Sequence, residues 1–197
     1  MPNLIELDTS ESVWEHVFTV YPLVLVGTRE PDGGDDLAPK HLAMPMSWQN
    51  DYGFICTPRH RTYQNIQRTR QFAVSYARPN QAVLASLAAS PRCEDGSKPI
   101  TAALPVMTAQ QVDAPLLEDS YLYLECELNR IYDDFGINSL ITGRIIAARV
   151  AEDALRESDR DDQDLIHDSP LLTYLYPGRF ASVDRSQQLP FPKNFSR

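Results

Sequence analysis

Short apolar runs separated by turn-forming residues fill most of this chain, and this division restricts its fold more than any other feature. The run YPLVLVGT, from Tyr21 to Thr28, ends at the turn sequence REPDGGDD, so we expect a buried strand that enters a hairpin. The return strand would be LAPKHLAMPMSW, from Leu37 to Trp48. Pro39 and Pro45 lack the N–H group that a central strand needs, so this segment is predicted to be an edge, bulged or partly looped strand.

The remaining runs predict more strands and a few short helices. The predicted strands are YGFICT, FAVSY, YLYLECEL and SLITGRIIAARV, and the predicted helices are RTYQNIQRTR and QAVLASLAAS. Residues 91–115 are rich in Pro, Gly and Asp and are predicted to form a long loop or cover segment. We therefore predict an all-β barrel with helical decoration, as one domain over residues 1–197. Residues 184–197 would dock on it as a C-terminal tail.

Two other segments carry predictions of their own. At the N-terminus, a short packing helix is expected, capped by Asp8, Thr9 and Ser10, with one apolar face made of Val13, Trp14, Val17 and Phe18. In YLYLECEL, strand alternation places Glu125 on the same face as Tyr123 and Glu127. That face is expected to be solvated.

Positive charge gathers around one predicted helix. The stretch TPRHRTYQNIQRTRQF contains Arg59, Arg61, Arg68 and Arg70, although the chain as a whole has a formal net charge of -9. The window from Tyr52 to Cys93 contains no Asp or Glu. Cations without acidic neighbours in an acidic protein indicate that a bound anion is their partner.

The start of this helix has the chemistry of a phosphate site. A helix N-terminus has unpaired N–H groups and a partial positive charge, and arginine binds phosphate through two parallel hydrogen bonds. Arg59 and Arg61 flank the predicted start, while Thr57 and Thr62 add hydroxyl donors, Thr62 as a predicted N-cap. Because no Gly-rich triphosphate loop or GxGxxG motif is present, a monophosphate is expected. The alternative is that these arginines form ordinary surface ion pairs.

Composition excludes several other classes. A sequence pI near 4.8 argues against general binding of nucleic acid or anionic membrane, which requires a broad basic surface. The chain lacks a long apolar run and its start lacks the features of a secretory signal, so a cytoplasmic protein is expected. The four histidines have no metal-binding spacing. Three widely spaced cysteines fit free thiols, and Cys56 could either touch a cofactor or be a buried, inert thiol.

The order of these motifs resembles the flavin reductase-like FMN-binding split-barrel family. The resemblance rests on PLVLVGT, LAPKHLAMPMSW, GFICT, RHRTYQNIQRT and FAVSY, and continues through SKPI, LYLECEL, ITGRIIAARV and YPGRF, so it covers roughly Tyr21 to Phe180. It implies an antiparallel, Greek-key-like split barrel. It also implies that the pattern basic-x-x-T-x-x-N-I at the helix start binds the FMN phosphate.

Site residues follow from the resemblance position by position. The phosphate would be held by Arg59, Arg61 and Thr62, with His60 nearby, and the flavin ring would meet Lys40, His41, Ala43, Met44, Pro45, Met46 and Ser47. This chain has KHLAMPMSW where the family has consecutive Ser or Thr residues, so its ring contacts depart from the family pattern. Lys40 would favour an anionic reduced flavin, or it would extend to solvent.

The implied function is an NAD(P)H-dependent flavin reductase that passes hydride to the flavin N5 atom, with NADH or NADPH as reductant. Electrons would then pass to free flavin, oxygen, a metal chelate or a partner oxygenase. The resemblance also implies a homodimer with FMN at or near the interface. Two alternatives remain open: a non-catalytic FMN-binding electron carrier, and a split-barrel dimer that binds no flavin.

Overall fold

The computed structural model describes residues 2–157 and 159–192, which form twelve strands and three α-helices. The strands are β1 (Thr19–Pro22), β2 (Val24–Arg29), β3 (Asp35–Lys40), β4 (Ala43–Pro45), β5 (Asp51–Cys56), β6 (Gln71–Tyr76), β7 (Val106–Thr108), β8 (Pro115–Leu117), β9 (Leu122–Phe135), β10 (Asn138–Val150), β11 (Leu171–Tyr176) and β12 (Arg179–Val183). The helices are α1 (Arg61–Thr69), α2 (Ala82–Leu87) and α3 (Asp162–Asp168). Single 3₁₀ turns lie at Val13–His16, Pro79–Gln81, Pro99–Ala103 and Glu152–Ala154.

The main sheet is forced to curl by the short link between its two edge strands. Its seven antiparallel strands run in the order β3-β2-β6-β9-β10-β5-β4, so β3 and β4 lie at opposite edges. If the sheet were flat, its six strand spacings would separate these edges by about 29 Å. The chain from Lys40 to Ala43 can span only about 11 Å. The sheet therefore closes into a barrel whose edge strands do not pair with each other, which confirms the predicted all-β split barrel with short helices.

The continuous apolar character of β2 is explained by cover on both of its faces. Val24 and Val26 belong to the barrel core, together with Phe54 and Phe72. Leu25 faces the other way, into a second buried cluster that includes Leu37, Leu104, Leu117 and Leu172. A strand buried on both faces has no need of polar alternation. The edge positions predicted from Pro39 and Pro45 are also confirmed, since these residues lie in β3 and β4.

Residues 91–115 are more ordered than a simple loop. They contain the 3₁₀ turn Pro99–Ala103 and strand β7, which pairs with β8 as a two-stranded sheet over the outside of the barrel. The contact with β2 is close, because a Cβ atom on Gly27 would lie 1.9 Å from the carbonyl oxygen of Pro115. The remaining three strands form a third sheet in the order β1-β11-β12.

Two local predictions are wrong. The N-terminal segment forms only the four-residue 3₁₀ turn Val13–His16, with no buried residue, and Trp14 and Phe18 are exposed. Glu125 is buried rather than solvated, since residues 111–112 and Arg149 cover it. Its carboxylate accepts hydrogen bonds from the N–H groups of Gln111 and Val112 and from Arg149.

The C-terminal tail lies against helix α3. The Nε2 atom of Gln163 donates to the carbonyl oxygen of Asp184 at 3.1 Å, and the hydroxyl of Ser186 donates to Gln163 Oε1 at 3.1 Å. Residues 193–197 of the predicted tail lie outside the described residues. Within residues 2–157 and 159–192, no helix has the length and apolarity to cross a bilayer.

Candidate functional site

Helix α1 begins two residues earlier than an N-cap at Thr62 implies, and its start lacks a side-chain cap. The N-cap is His60, which makes no capping hydrogen bond through its side chain. The prediction of Thr62 as N-cap is therefore wrong. Thr62 is buried in the first turn, where its hydroxyl donates to Asp36 Oδ2 at 3.3 Å. The N-terminal N–H groups of α1 are left without the partner that a capping Ser, Thr or Asp would supply.

Two polar residues of α1 fix the helix to the β2–β3 hairpin. Besides the bond from Thr62 to Asp36, Asn65 Nδ2 donates to Thr28 Oγ1 at 3.0 Å. Thr28 and Asp36 are cross-strand partners in β2 and β3, so one helix face contacts one strand pair. All four residues are buried. Because Thr62 and Asn65 are three apart, they share this face, and the basic start of the helix is held next to β3.

A cationic cavity lies where α1 begins. Its volume is about 650 Å³, and its walls come from β3, the start of α1 and residues 88–98. Asp36 supplies the single carboxylate in its lining. Five cationic side chains also line it: Lys40, Arg59, Arg61, Arg92 and Lys98. His60 and Thr62 also line it. Of the twelve predicted site residues, the cavity thus brings together Lys40, Arg59, His60, Arg61 and Thr62.

Ion pairs satisfy only part of this charge. Asp36 accepts from Arg92 Nη2 at 2.8 Å and lies 3.4 Å from Lys98 Nζ, and Glu30 is hydrogen-bonded to Arg92. Arg61 makes a looser pair, with Nε 3.8 Å from Glu30 Oε2 and a side chain that is 41% exposed. Among residues 2–157 and 159–192, Arg59 pairs with no carboxylate. The alternative of ordinary ion pairs therefore holds in part for Arg61, through its loose pair with Glu30, but not for Arg59.

Thr57 supplies an unpaired hydroxyl at the same end of the helix. Its Oγ1 atom is buried and has no hydrogen-bond partner in the described part of the chain. The residue is 8% exposed and lies three positions before the N-cap. A buried hydroxyl without a partner costs free energy in the absence of a ligand. Its position next to an uncapped helix start fits a site that a hydrogen-bond acceptor completes.

Sequence reasoning missed Arg92 and Lys98. Both belong to residues 91–115, which were predicted only as a loop or cover segment. One signal was present, because Arg92 lies inside the window without acidic residues that ends at Cys93. No sequence pattern connects Lys98 to the cavity, since its partner Asp36 is 62 positions away.

The cavity shifts the pKa values of its titratable groups in the direction expected for buried cations. Burial lowers the pKa of His60, and the charges of Lys40 and Arg59 lower it further. Burial also lowers the pKa of Lys98, an effect that Asp36 opposes. A positive, partly desolvated environment favours a bound anion.

Comparison with known proteins agrees with this architecture. The family model described as "Flavin reductase like domain" matches residues 18–183. The chain belongs to this family. The matched domain extends from β1 to the end of β12. The resemblance to this family that was inferred from the sequence is therefore confirmed.

Three solved structures with the same fold are distantly related to this chain in sequence. Flavoredoxin from Methanosarcina acetivorans matches with a TM-score of 0.78 and 17% identity, over 98% of this chain and 97% of that one. Nitrilotriacetate monooxygenase component B from Bacillus cereus matches with a TM-score of 0.82 and 16% identity, over 96% of this chain and 100% of that one. An FMN-binding protein from Thermus thermophilus matches with a TM-score of 0.74 and 20% identity, over 96% of this chain and 100% of that one. At these identities the matches establish the fold of the flavin reductase like domain.

The residues predicted to meet the flavin ring are spread along the seam of the barrel. Lys40 lines the cationic cavity, whereas Ala43 is buried in the barrel core. Met44 and Met46 are exposed on and beside the edge strand β4, and Pro45 pairs with Tyr52. The Ser47 hydroxyl donates to Asp51 Oδ2 at 2.8 Å within a local turn. Of the seven residues predicted to meet the flavin ring, Lys40 lines the cavity and the other six do not.

His41 belongs to a half-buried aromatic cluster between β3 and the third sheet. Its ring centroid lies 4.6 Å from Tyr174, 5.6 Å from Tyr21 and 5.8 Å from Tyr176. Burial, and then the charge of Lys40, lower the pKa of His41. Ring packing by His41 thus holds the two-residue link that closes the barrel against the third sheet.

Cys56 matches the prediction of a buried thiol. The residue is 2% exposed, and burial raises the pKa of its thiol. A thiol with a raised pKa is a poor nucleophile at neutral pH. Among the described residues no group of three His, Cys, Asp or Glu side chains is placed to hold a metal ion.

Asp36→Ala is expected to destabilise the protein strongly, because it removes the carboxylate that contacts Thr62, Arg92 and Lys98. Breaking such a buried pair costs about 3 kcal/mol in the free energy of unfolding. Urea denaturation would measure the change. Glu127→Ala, at an exposed position of β9, serves as control with a change within about 0.5 kcal/mol. Equal unfolding midpoints for the two variants would show that Asp36 does not hold the cavity together.

Proposed function

We propose that this protein binds FMN, with the phosphate in the cationic cavity, and acts as an NAD(P)H-dependent flavin oxidoreductase. The observation that carries the proposal is the cavity itself, in which five cationic side chains and one carboxylate surround the uncapped start of α1. Membership of the flavin reductase like domain family supports the same conclusion. The Thermus thermophilus neighbour, described as an FMN-binding protein, adds support for this flavin.

The residues present fit a phosphate monoester. Arg59 has no carboxylate partner in the described chain, and Arg61 is only loosely paired with Glu30. These two side chains, together called the arginine clamp, would donate charge-assisted hydrogen bonds to phosphate oxygens. The Thr57 hydroxyl and the first N–H groups of α1 would donate to the remaining oxygens. The site thus offers guanidinium, hydroxyl and backbone N–H donors, the three kinds that phosphate sites commonly use.

Lys40 and the barrel seam would position the flavin ring. Lys40 lines the cavity and directly precedes His41, so a ligand with its phosphate at α1 could extend along the link toward β4. We propose His41, Ala43, Met44, Pro45, Met46 and Ser47 as ring contacts, partly through backbone groups freed at the sheet edge. The charge of Lys40 would stabilise negative charge on the ring.

The bound flavin would supply the redox chemistry, by accepting hydride from NADH or NADPH at N5 and passing electrons onward. The protein needs no strong acid or base for this chemistry. Its residues would bind the flavin, orient it and shield it. Their contribution is electrostatic positioning by the clamp and Lys40. The neighbour described as a monooxygenase component B supports a partner oxygenase as one electron acceptor.

Removing the arginine clamp should weaken FMN binding. For Arg59→Ala combined with Arg61→Ala we expect a loss of a few kcal/mol, because charge-assisted hydrogen bonds contribute about 1.5–3 kcal/mol each. Titration of flavin-free protein, followed by flavin fluorescence, would measure it. Riboflavin, which lacks the phosphate, should bind both proteins equally. Arg68→Ala with Arg70→Ala is the matched control, since it removes the same charge from the other end of α1.

The outcomes separate the competing functions. An unchanged FMN dissociation constant in the clamp variant would remove the proposed phosphate site. If the wild-type protein binds no FMN, the remaining alternative is a split-barrel dimer that binds no flavin. If FMN binds, oxidation of NADH or NADPH at a steady turnover indicates a reductase, and its absence indicates an electron carrier.

FMN binding should also depend on His60. Burial, Lys40 and Arg59 hold the pKa of this imidazole below 6.5, so it is neutral at pH 7. A phosphate dianion in the cavity would raise that pKa, and binding would then take up a proton. The wild-type affinity relative to His60→Gln should therefore increase as the pH falls from about 8 to about 6. Titration of the phosphate itself, with a pKa of about 6, affects both proteins alike. Parallel pH profiles would contradict the placement of phosphate beside His60.

We also propose that the protein is a homodimer. Exposed apolar side chains lie on the N-terminal segment, on β1, and on or next to β4, which contacts β1: Trp14, Phe18, Val20, Met44 and Met46. Apolar patches of this kind commonly mark interfaces. Light scattering should give twice the chain mass, and Phe18→Glu combined with Val20→Glu should lower it. A wild-type mass equal to the 22.3 kDa chain would refute the dimer.

A further inference from the structure

The segment that carries Arg92 and Lys98 has no apolar anchor of its own. Residues 89–100 all lie in the described part of the chain, and each of them is exposed or only partly buried. The nearest buried residues are Ala88 before this segment and Thr101 after it. We call residues 91–98 the strap. Because burial of apolar surface is the main force that holds a segment in place, the position of the strap depends on polar contacts instead.

Some of these contacts close the strap on itself. The N–H of Cys93 donates to the carbonyl oxygen of Ser97 at 2.9 Å, and the N–H of Gly96 donates to that of Cys93 at 2.9 Å. The Nη1 atom of Arg92 donates to the carbonyl oxygen of Gly96 at 2.8 Å. These bonds join the strap to itself and not to the barrel.

Two cations tie the strap to the β2–β3 hairpin. Arg92 Nη2 donates to Asp36 Oδ1 at 2.8 Å and is also hydrogen-bonded to Glu30. Lys98 Nζ donates to the carbonyl oxygen of Leu37 at 2.8 Å and lies 3.4 Å from Asp36 Oδ1. Both cations line the cationic cavity, so the attachment of the strap is part of the cavity wall.

This attachment is short of negative charge. Arg92 and Lys98 share the single oxygen Oδ1 of Asp36, because Oδ2 accepts from Thr62. Glu30 is likewise shared between two arginines. An anion in the cavity supplies acceptor oxygens that these cations lack, and charge-assisted hydrogen bonds are stronger than neutral ones.

We propose that phosphate in the cationic cavity locks the strap, by accepting hydrogen bonds from Arg92 and Lys98 and thereby holding residues 91–98 closed over the cavity. Without the anion, the strap is held by the shared carboxylates and opens more often. The strap then controls how long the flavin stays bound. This inference rests on the proposed function, because it takes the FMN phosphate as the anion.

Hydrogen exchange of backbone amides, measured by mass spectrometry on peptides from residues 91–98, tests the proposal with flavin-free protein. Saturating FMN should slow exchange in the strap about fivefold, because exchange in a segment without apolar anchors reports its local opening. Riboflavin, which has the ring but no phosphate, should not slow it. Peptides from the central strand β6 serve as internal reference and should keep their rate.

Arg92→Gln tests the attachment itself, because it removes the charge that joins the strap to Asp36 and Glu30. In flavin-free protein it should speed exchange in the strap, an effect that the loss of a mere phosphate contact would not produce. FMN should also dissociate about fivefold faster, which stopped-flow fluorescence measures. Arg156→Gln is the matched control, since it removes the same charge from an exposed pair with Asp162 outside the cavity. It should change neither rate.

Four results would overturn the proposal. FMN that binds without slowing exchange in the strap would refute the strap and leave the proposed function standing. Equal slowing by riboflavin would assign the protection to the ring. Wild-type exchange in flavin-free Arg92→Gln would show that its ion pairs do not hold the strap. Failure of the wild-type protein to bind FMN in a direct titration would refute the proposed function and the locking together.

Discussion

The buried carboxylate of Asp36 connects the parts of the site that the chain brings from distant positions. One of its oxygens accepts from Thr62 of α1, and the other accepts from Arg92 and lies near Lys98. The backbone of Asp36 pairs with Thr28, which in turn accepts from Asn65. Helix, hairpin and outer segment are therefore tied to one charge. Because a buried anion must be compensated, the cations around it are fixed in place, and these cations form the wall of the cavity.

This arrangement also explains why the cavity keeps a positive character. Asp36 has a single negative charge, and Glu30 adds another at the edge, yet five cationic side chains surround the space. The paired cations, Arg92 and Lys98, are held in place by these acids. Arg59 and Arg61 remain exposed or loosely paired. Neutralisation is thus incomplete at the end of the cavity that faces the start of α1.

The sequence predicted those features whose determinants are close together along the chain. The four strands predicted between Tyr52 and Val150, the edge positions of Pro39 and Pro45, and the basic start of α1 depend on local pattern and are present in the structure. The predicted strand from Tyr21 to Thr28 is instead divided between β1 and β2, and the predicted return strand is divided between β3 and β4. Arg92 and Lys98 could not be assigned because their partner lies far away in sequence. The N-terminal helix was predicted from a face of apolar residues, but a helix this short depends on tertiary packing, and those residues are not buried. Glu125 was predicted to be solvated because strand alternation does not reveal that another segment covers the face.

The link of His41 and Leu42 has a double role that limits how this site can change. It holds the two edges of the barrel together, and it separates Lys40 from the strand proposed to border the ring. Leu42 is itself tied to β5, through a hydrogen bond of 2.9 Å from the N–H of Ile55. An insertion in this link would open the seam of the barrel as it widened the proposed ring site. Diversification of ligand size is therefore easier at the outer segment around residues 92–102, where chain length is not coupled to closure of the sheet.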